Sequence, residues 1–200
     1  MNRKVDIRMA LPDDAADILE IYRPFVTGTV VTFEELVPTV EEFRQRIKTV
    51  LEEAPYLVCE IDGVIVGYAY ASAYRTRASY RWNREVTVYI NPDFQGMNIG
   101  TALYTALIAM LRMQHYGNLL AVVTLPNEGS ARLHERMGFK ACAVFNQVGY
   151  KMNKWHQVGW WELALADPDE KPLEPVLLKD IDDNIVWDKI MRDAADLVKI

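Results

Sequence analysis

Apolar and polar positions repeat with two different periods along this chain, and the changes of period divide it into elements. Val5, Ile7 and Met9 alternate as in a short strand, and Pro12-Asp13-Asp14 then opens a helix to about Phe25. Thr39 and Glu42 form a capping box for a second helix to about Glu52, whose buried face carries Phe43, Ile47, Val50 and Leu51. Strands are expected from Tyr56 to Ile61 and from Val64 to Ala73, because Asp62-Gly63 between them is the strongest short hairpin signal in the chain. Another strand, Arg84 to Ile90, ends at Asn91-Pro92-Asp93, and a helix follows from Ile99 to Gln114 with Leu103, Leu107, Ile108 and Leu111 at core spacing. Leu119 to Thr124 reads as an apolar strand and Ser130 to Met137 as a short helix stopped by Gly138. Phe139 to Val148 and Val158 to Leu165 are the last strands. The order βααβββαβαββ predicts an α/β (α+β) domain over residues 1–165.

Beyond it the pattern changes. Residues 166–175 carry three prolines within eight positions, which excludes a helix or an internal strand and marks a linker. Trp187, Ile190, Met191, Ala194, Leu197 and Val198 then recur at helical spacing, behind Asp182-Asp183-Asn184, any of which suits an N-cap. Residues 166–200 are therefore expected to form an acidic linker and one amphipathic helix. An isolated helix of about 15 residues is marginal in water, so its apolar stripe must cover either the body of this chain or a second copy.

Charge and composition narrow the class. Half of the residues are hydrophobic, a quarter are charged, and the net charge is −6, of which residues 166–200 supply −5. Nothing global favours a sequence-independent grip on nucleic-acid phosphates, and no run approaches the roughly 18 apolar residues of a spanning helix. The first residues lack the apolar run of a signal peptide, and Cys59 and Cys142 stand far apart, so a cytoplasmic location is expected. Three scattered histidines and two distant cysteines have no ligand spacing, so no metal is expected, and Gly-x-Ser-x-Gly is absent.

The stretch with most chemical content runs from Val86 to Thr101. A strand passes through the turn Asn91 to Asn98 directly into a helix, so unpaired N–H groups at the helix start converge where an anion can bind. It has neither the Gly-Lys-Ser/Thr of a P-loop nor the GxGxxG spacing. After a second apolar strand, Asn127 stands where an amide can reach a ligand lying along the strand end.

Together, Gln95-Gly96-Met97-Asn98-Ile99-Gly100-Thr101 and the segment Asn127 to Phe139 resemble the GNAT superfamily of acetyl-CoA-dependent N-acyltransferases over about residues 5 to 165. Thr32-Phe33-Glu34, Arg75-Thr76-Arg77-Ala78-Ser79-Tyr80, Glu85-Val86-Thr87-Val88-Tyr89 and Gly149 to His156 are similar to its phosphinothricin acetyltransferase-like branch, which acetylates small amino acids and analogues such as phosphinothricin and methionine sulfoximine. The resemblance implies a mixed, mostly antiparallel sheet with helices on both faces, and direct transfer from acetyl-CoA to an amine. The 95–101 loop would hold the pyrophosphate, and Asn127 would line the pantetheine. The backbone of Val88, Tyr89 and Ile90 would pair with the pantetheine and polarise the thioester. Where the third loop position is usually Gly this chain has Asn98, the non-glycine residue that best tolerates a left-handed backbone.

The resemblance also assigns roles. Glu85 would take the ammonium proton and His134 would supply a proton to the leaving thiolate. Phe33, Arg75, Arg77, Tyr80, Glu85 and Thr87 would contact the small-molecule amine, the arginines as forks for an anionic group. Tyr89 and Trp155 read as packing aromatics, while His115 and His156 have no assigned chemistry. A homodimer is implied in which the partner helps to close the pocket. Two other readings stand beside this one: a non-catalytic acyl-CoA-binding regulator, and a protein acetyltransferase acting on N-termini or lysines. The arginine pair disfavours a lysine target, since like charge beside the amine is unfavourable.

Overall fold

The computed structural model describes residues 3–167, 171–181 and 184–200. Seven strands form one sheet in the order β1-β2-β3-β4-β5-β7-β6: β1 Val5–Met9, β2 Tyr56–Ile61, β3 Val64–Ala73, β4 Asn83–Ile90, β5 Asn118–Leu125, β6 Lys140–Lys151 and β7 Lys154–Ala164. Every neighbouring pair is antiparallel except β4 and β5. The helices are α1 Ala15–Gly28, α2 Val40–Leu51, α3 Ile99–Met113, α4 Glu128–Arg136 and α5 Asn184–Ala195.

Two apolar clusters hold helices to opposite faces. On one, α3 supplies Ile99, Leu103 and Leu107 against Leu57, Val66 and Val86 of the sheet. On the other, Ile18 and Tyr22 of α1 and Phe43 and Ile47 of α2 pack on Tyr56, Val58 and Tyr68. The Thr39–Glu42 capping box is formed, with the Thr39 hydroxyl accepting the Glu42 N–H and Glu42 accepting the Thr39 N–H at 2.7 Å. Asp62 and Gly63 both take positive φ, as the hairpin signal requires.

The last hairpin departs from expectation. Strands β6 and β7 run on to Lys151 and from Lys154, where sequence periodicity stops at Val148 and resumes at Val158. The turn is Met152-Asn153, both residues left-handed, and neither is the glycine by which such turns are recognised. Because β6 is an edge strand with most of its residues exposed, its buried/polar alternation is weak.

The described residues after 165 are tied to the body at several points. Trp82 Nε1 donates to the Leu173 carbonyl at 2.7 Å, Gln114 Nε2 donates to that of Val176 at 2.8 Å, and the Val176 N–H returns to Gln114 at 2.9 Å. Trp187, Met191 and Ala194 of α5 are buried in the cluster that contains Ile99 and Leu103, so the apolar stripe covers this chain's own body. Of the expected caps, Asp182, Asp183 and the Asn184 side chain lie outside the described residues.

Candidate active site

The parallel pair at the centre of the sheet comes apart. Pairing of β4 with β5 ends at Glu85–Leu120, while β4 stays bonded to β3 as far as Ile90 and β5 to β7 as far as Leu125. A wedge opens there, with one edge of the Val88, Tyr89 and Ile90 backbone free of β5. Side chains alternate across β4: Val86, Val88 and Ile90 pack toward α3, whereas Glu85, Thr87 and Tyr89 lie on the face covered by α1 and α2.

At the end of this strand Gln95 to Thr101 turn into α3. Gly96 has φ +83° and Asn98 φ +63°, two left-handed residues that reverse the chain just before the helix. The first helical bond back is from the Ala102 N–H to the Asn98 carbonyl at 3.1 Å, which leaves the N–H groups of Ile99, Gly100 and Thr101 at the positive end of the helix dipole. Glycines let other elements close on this turn. A Cβ on Gly67 would lie 2.7 Å from Ile90 and 3.2 Å from Ile99, and one on Gly100 would lie 3.0 Å from Leu133 of α4. The turn thus fits a pyrophosphate held by main-chain donors.

A cavity of about 1090 Å³ occupies the wedge, walled by Tyr22 of α1 and Phe43 of α2 on one side and by Tyr104 and His134 on the other. Glu85, Thr87, Ser72, Tyr70, Asn127 and His134 line it. Partial burial raises the Glu85 pKa above the ordinary carboxylate value, the direction that makes a carboxylate a better proton acceptor. Asn127 caps α4, its Oδ1 accepting the Ser130 N–H at 3.1 Å.

His134 is in the wall, and its hydrogen bonds define its state. Nδ1 lies 2.8 Å from the Ser130 carbonyl, which only accepts, so Nδ1 carries the proton. Nε2 is therefore the acceptor for the Tyr104 hydroxyl at 3.1 Å. Burial lowers the His134 pKa, which favours the neutral ring, and burial raises that of Tyr104, so the proton between them stays on the Tyr104 hydroxyl.

Three expected substrate contacts are not brought to the cavity. Arg75 and Arg77 are exposed on the β3–β4 connection. The Arg75 guanidinium sits 5.0 Å over Tyr74 and 5.5 Å over Tyr80, and Tyr80 packs edge-on to Tyr74, so the cation–π stack holds the group at the rim. The cation that does line the cavity is Arg46 of α2, 2.6 Å from Glu34. Sequence reasoning missed it, although Arg46 stands three residues after buried Phe43, at the edge of the helix's apolar face. It also missed the tyrosine wall of Tyr22, Tyr56, Tyr68 and Tyr70, whose signal is the alternation of Tyr68 and Tyr70 on β3 opposite Tyr56 on β2. Trp155 packs edge-on to Tyr150 as an aromatic of the β6–β7 hairpin and is 54% exposed.

Phe33 does line the cavity, and the loop bearing it is pinned from below. The ammonium of buried Lys151 donates to the carbonyls of Val26 and Thr32 at 2.7 and 2.8 Å, and an added Cβ on Gly149 would collide with the Phe33 ring. Lys151→Met keeps most of the stem and strands two carbonyls. It is expected to cost about 1–3 kcal/mol in a urea titration and to weaken amine binding through the freed Phe33 loop.

A sheet split at its parallel pair, beside a main-chain anion cradle and a cavity holding a carboxylate, defines an acyl-CoA N-acyltransferase. The chain belongs to the GNAT acetyltransferases: a family model described as "Acetyltransferase (GNAT) domain" matches residues 7–160. Among relatives, a phosphinothricin N-acetyltransferase of Streptomyces viridochromogenes is 34% identical over 175 residues, covering 87% of this chain and 96% of that one. An L-methionine sulfoximine/L-methionine sulfone acetyltransferase of Salmonella typhimurium is 33% identical over 167 residues, covering 82% and 98%. A crystal structure of a GNAT phosphinothricin acetyltransferase from Sinorhizobium meliloti in complex with acetyl-CoA superimposes with a TM-score of 0.82 at 31% identity, covering 90% and 97%. This protein is accordingly an acetyl-CoA-dependent N-acetyltransferase. Among the described residues no group of three or more His, Cys, Asp or Glu is placed to hold a metal ion, and no helix is long and apolar enough to cross a membrane.

Proposed function

We propose that the protein transfers the acetyl group to the amine of a small amino acid or analogue of the phosphinothricin and methionine sulfoximine/sulfone class, with Glu85 as general base. The observation that carries this is the half-buried Glu85 carboxylate at the point where β4 leaves β5, inside a cavity whose size suits a small molecule beside an acylated thiol. Acetyl-CoA supplies the activated acyl group. Glu85, with its raised pKa, takes a proton from the incoming ammonium directly or through one water. The free backbone edge at Val88 to Ile90 supports polarisation of the thioester carbonyl. As the C–N bond forms and the C–S bond breaks, the attacking nitrogen becomes cationic, and His134, whose Nε2 is unprotonated in the neutral ring, relays the proton it releases to the leaving thiolate. Thr87 and Phe33 contact the amine's carrier.

The exposed side chains Val144, Phe145, Val148, Tyr150, Met152 and Trp155 form an apolar band on the β6–β7 hairpin, and Phe145 and Val148 are also part of the cavity wall. That continuity supports a homodimer whose partner covers the band and completes the pocket. Residues 1–165 are taken as the catalytic unit and 166–200 as its appended segment, with the cytoplasm as the compartment.

Thiol release from acetyl-CoA, screened over amino acids, sulfones, sulfoximines, phosphinates, polyamines and peptides, tests the substrate class. Turnover confined to peptides would replace it with a protein acetyltransferase. The pH profile tests the base. A carboxylate with a raised pKa loses its acceptor state as pH falls through that pKa, so kcat/KM should decline on the acid side at a pKa above the usual 4.5 of Glu.

A further inference from the structure

The segment after α5 ends on the cofactor turn. The Lys199 N–H donates to the Met97 carbonyl at 2.9 Å, and Asn98 Nδ2 donates to the Leu197 carbonyl at 2.8 Å. These are reciprocal bonds between residues about a hundred positions apart, and they fall on the one part of the turn that departs from the family pattern. We propose that Leu197–Lys199 is a latch that holds the pyrophosphate turn in its acetyl-CoA-binding shape, with Asn98 as the positioning residue through which it acts. The inference rests on the family assignment of that turn to the cofactor.

The physical argument has three parts. Across a planar trans peptide the carbonyl and the following N–H point in opposite directions. Fixing the Met97 carbonyl toward Lys199 therefore turns the Asn98 N–H away from the tail, as one further donor beside those of Ile99, Gly100 and Thr101. The left-handed conformation of Asn98 is disfavoured for any residue with a Cβ, and its side-chain bond to Leu197 offsets that cost where a glycine would have none. Finally, the latch has a firm anchor, since Trp187, Met191 and Ala194 of α5 are buried in the cluster that includes Ile99, the first residue of α3. The turn is thus pre-organised from behind by the tail, and pre-organisation acts on ligand affinity rather than on the chemical step.

A chain ending at Asp196 tests this, because it keeps α5 and removes both bonds. Isothermal calorimetry should show the acetyl-CoA Kd raised about tenfold, with kcat at saturating acetyl-CoA within about twofold of the full chain. Without any CoA present, amide hydrogen exchange should accelerate at Ala102, whose N–H is held by the Asn98 carbonyl of the turn, while the rest of α3 and the sheet keep their protection. Asn98→Gly in the full chain should raise Kd about threefold, and in the shortened chain it should add nothing, as for two changes that break one device. An acetyl-CoA Kd within twofold of the full chain, or exchange that accelerates evenly over α3 and the sheet, overturns the latch. Failure of the full chain to bind acetyl-CoA would instead overturn the cofactor assignment, and the ligand-free exchange measurement separates the two results.

Discussion

Replacing Glu85 with Gln is expected to lower turnover about 10²–10⁴-fold at pH 7 while leaving the acetyl-CoA dissociation constant nearly unchanged. The amide preserves the shape and most of the polarity of the side chain but cannot accept a proton from an ammonium group. Glu85 lies on the α1/α2 face of β4, whereas the turn proposed for the pyrophosphate lies at the far end of that strand, after Ile90, so the two proposed roles separate along one element. The acid limb of the rate profile should disappear in the variant together with the loss in rate. Thiol release by stopped assay and calorimetry with acetyl-CoA measure the two quantities. Wild-type turnover in the variant would remove Glu85 from the mechanism, and a matching loss of acetyl-CoA affinity would make it a structural residue of the cleft.

The largest effect on stability is expected at Trp187. It is 5% exposed and buried with Met191 and Ala194 among the side chains of α3. Trp187→Ala should cost about 3–5 kcal/mol through lost contact area and the cavity left behind. For a chain of this length that lowers Tm by about 10 °C. Trp187→Phe is expected to cost far less, because the indole N–H finds no hydrogen-bond partner among the described residues and its removal relieves a buried unsatisfied donor. Calorimetric unfolding of the two variants checks the pair. Equal, small losses in both would mean that α5 does not contribute to the core.

The elements were legible because each carries its own period or terminator. Thr39 and Glu42, Asp62-Gly63 and Gly138 mark ends by local backbone chemistry, and the apolar repeat of α3 needs no partner to be read. The same holds for the cofactor turn, where strand, glycine and helix follow one another within about fifteen residues. The hairpin at Met152-Asn153 was not legible, since its turn is stabilised by the pairing of the strands it joins rather than by its residue types.

Chemistry that depends on distant neighbours was beyond the sequence. Glu85 stood out on its strand, but its raised pKa comes from partial burial in a cavity whose walls are built by several separate elements. A histidine at position 134 reads the same whichever nitrogen holds the proton; the Ser130 carbonyl and the Tyr104 hydroxyl decide that, one from its own helix and one from α3. Arg75 and Arg77 have the residue types for an anion fork, yet Tyr74 and Tyr80 hold Arg75 at the rim and α2 brings Arg46 to the wall instead. In the tail, helical spacing determined that a stripe must be buried, and only the packing of α5 against α3 determined on what. Local conformational preference is written residue by residue and so the sequence determined it; hydrogen-bond partners, burial and the bonds of Asn98 and Met97 to Leu197 and Lys199 arise between segments about a hundred residues apart, and the tertiary structure alone decided them.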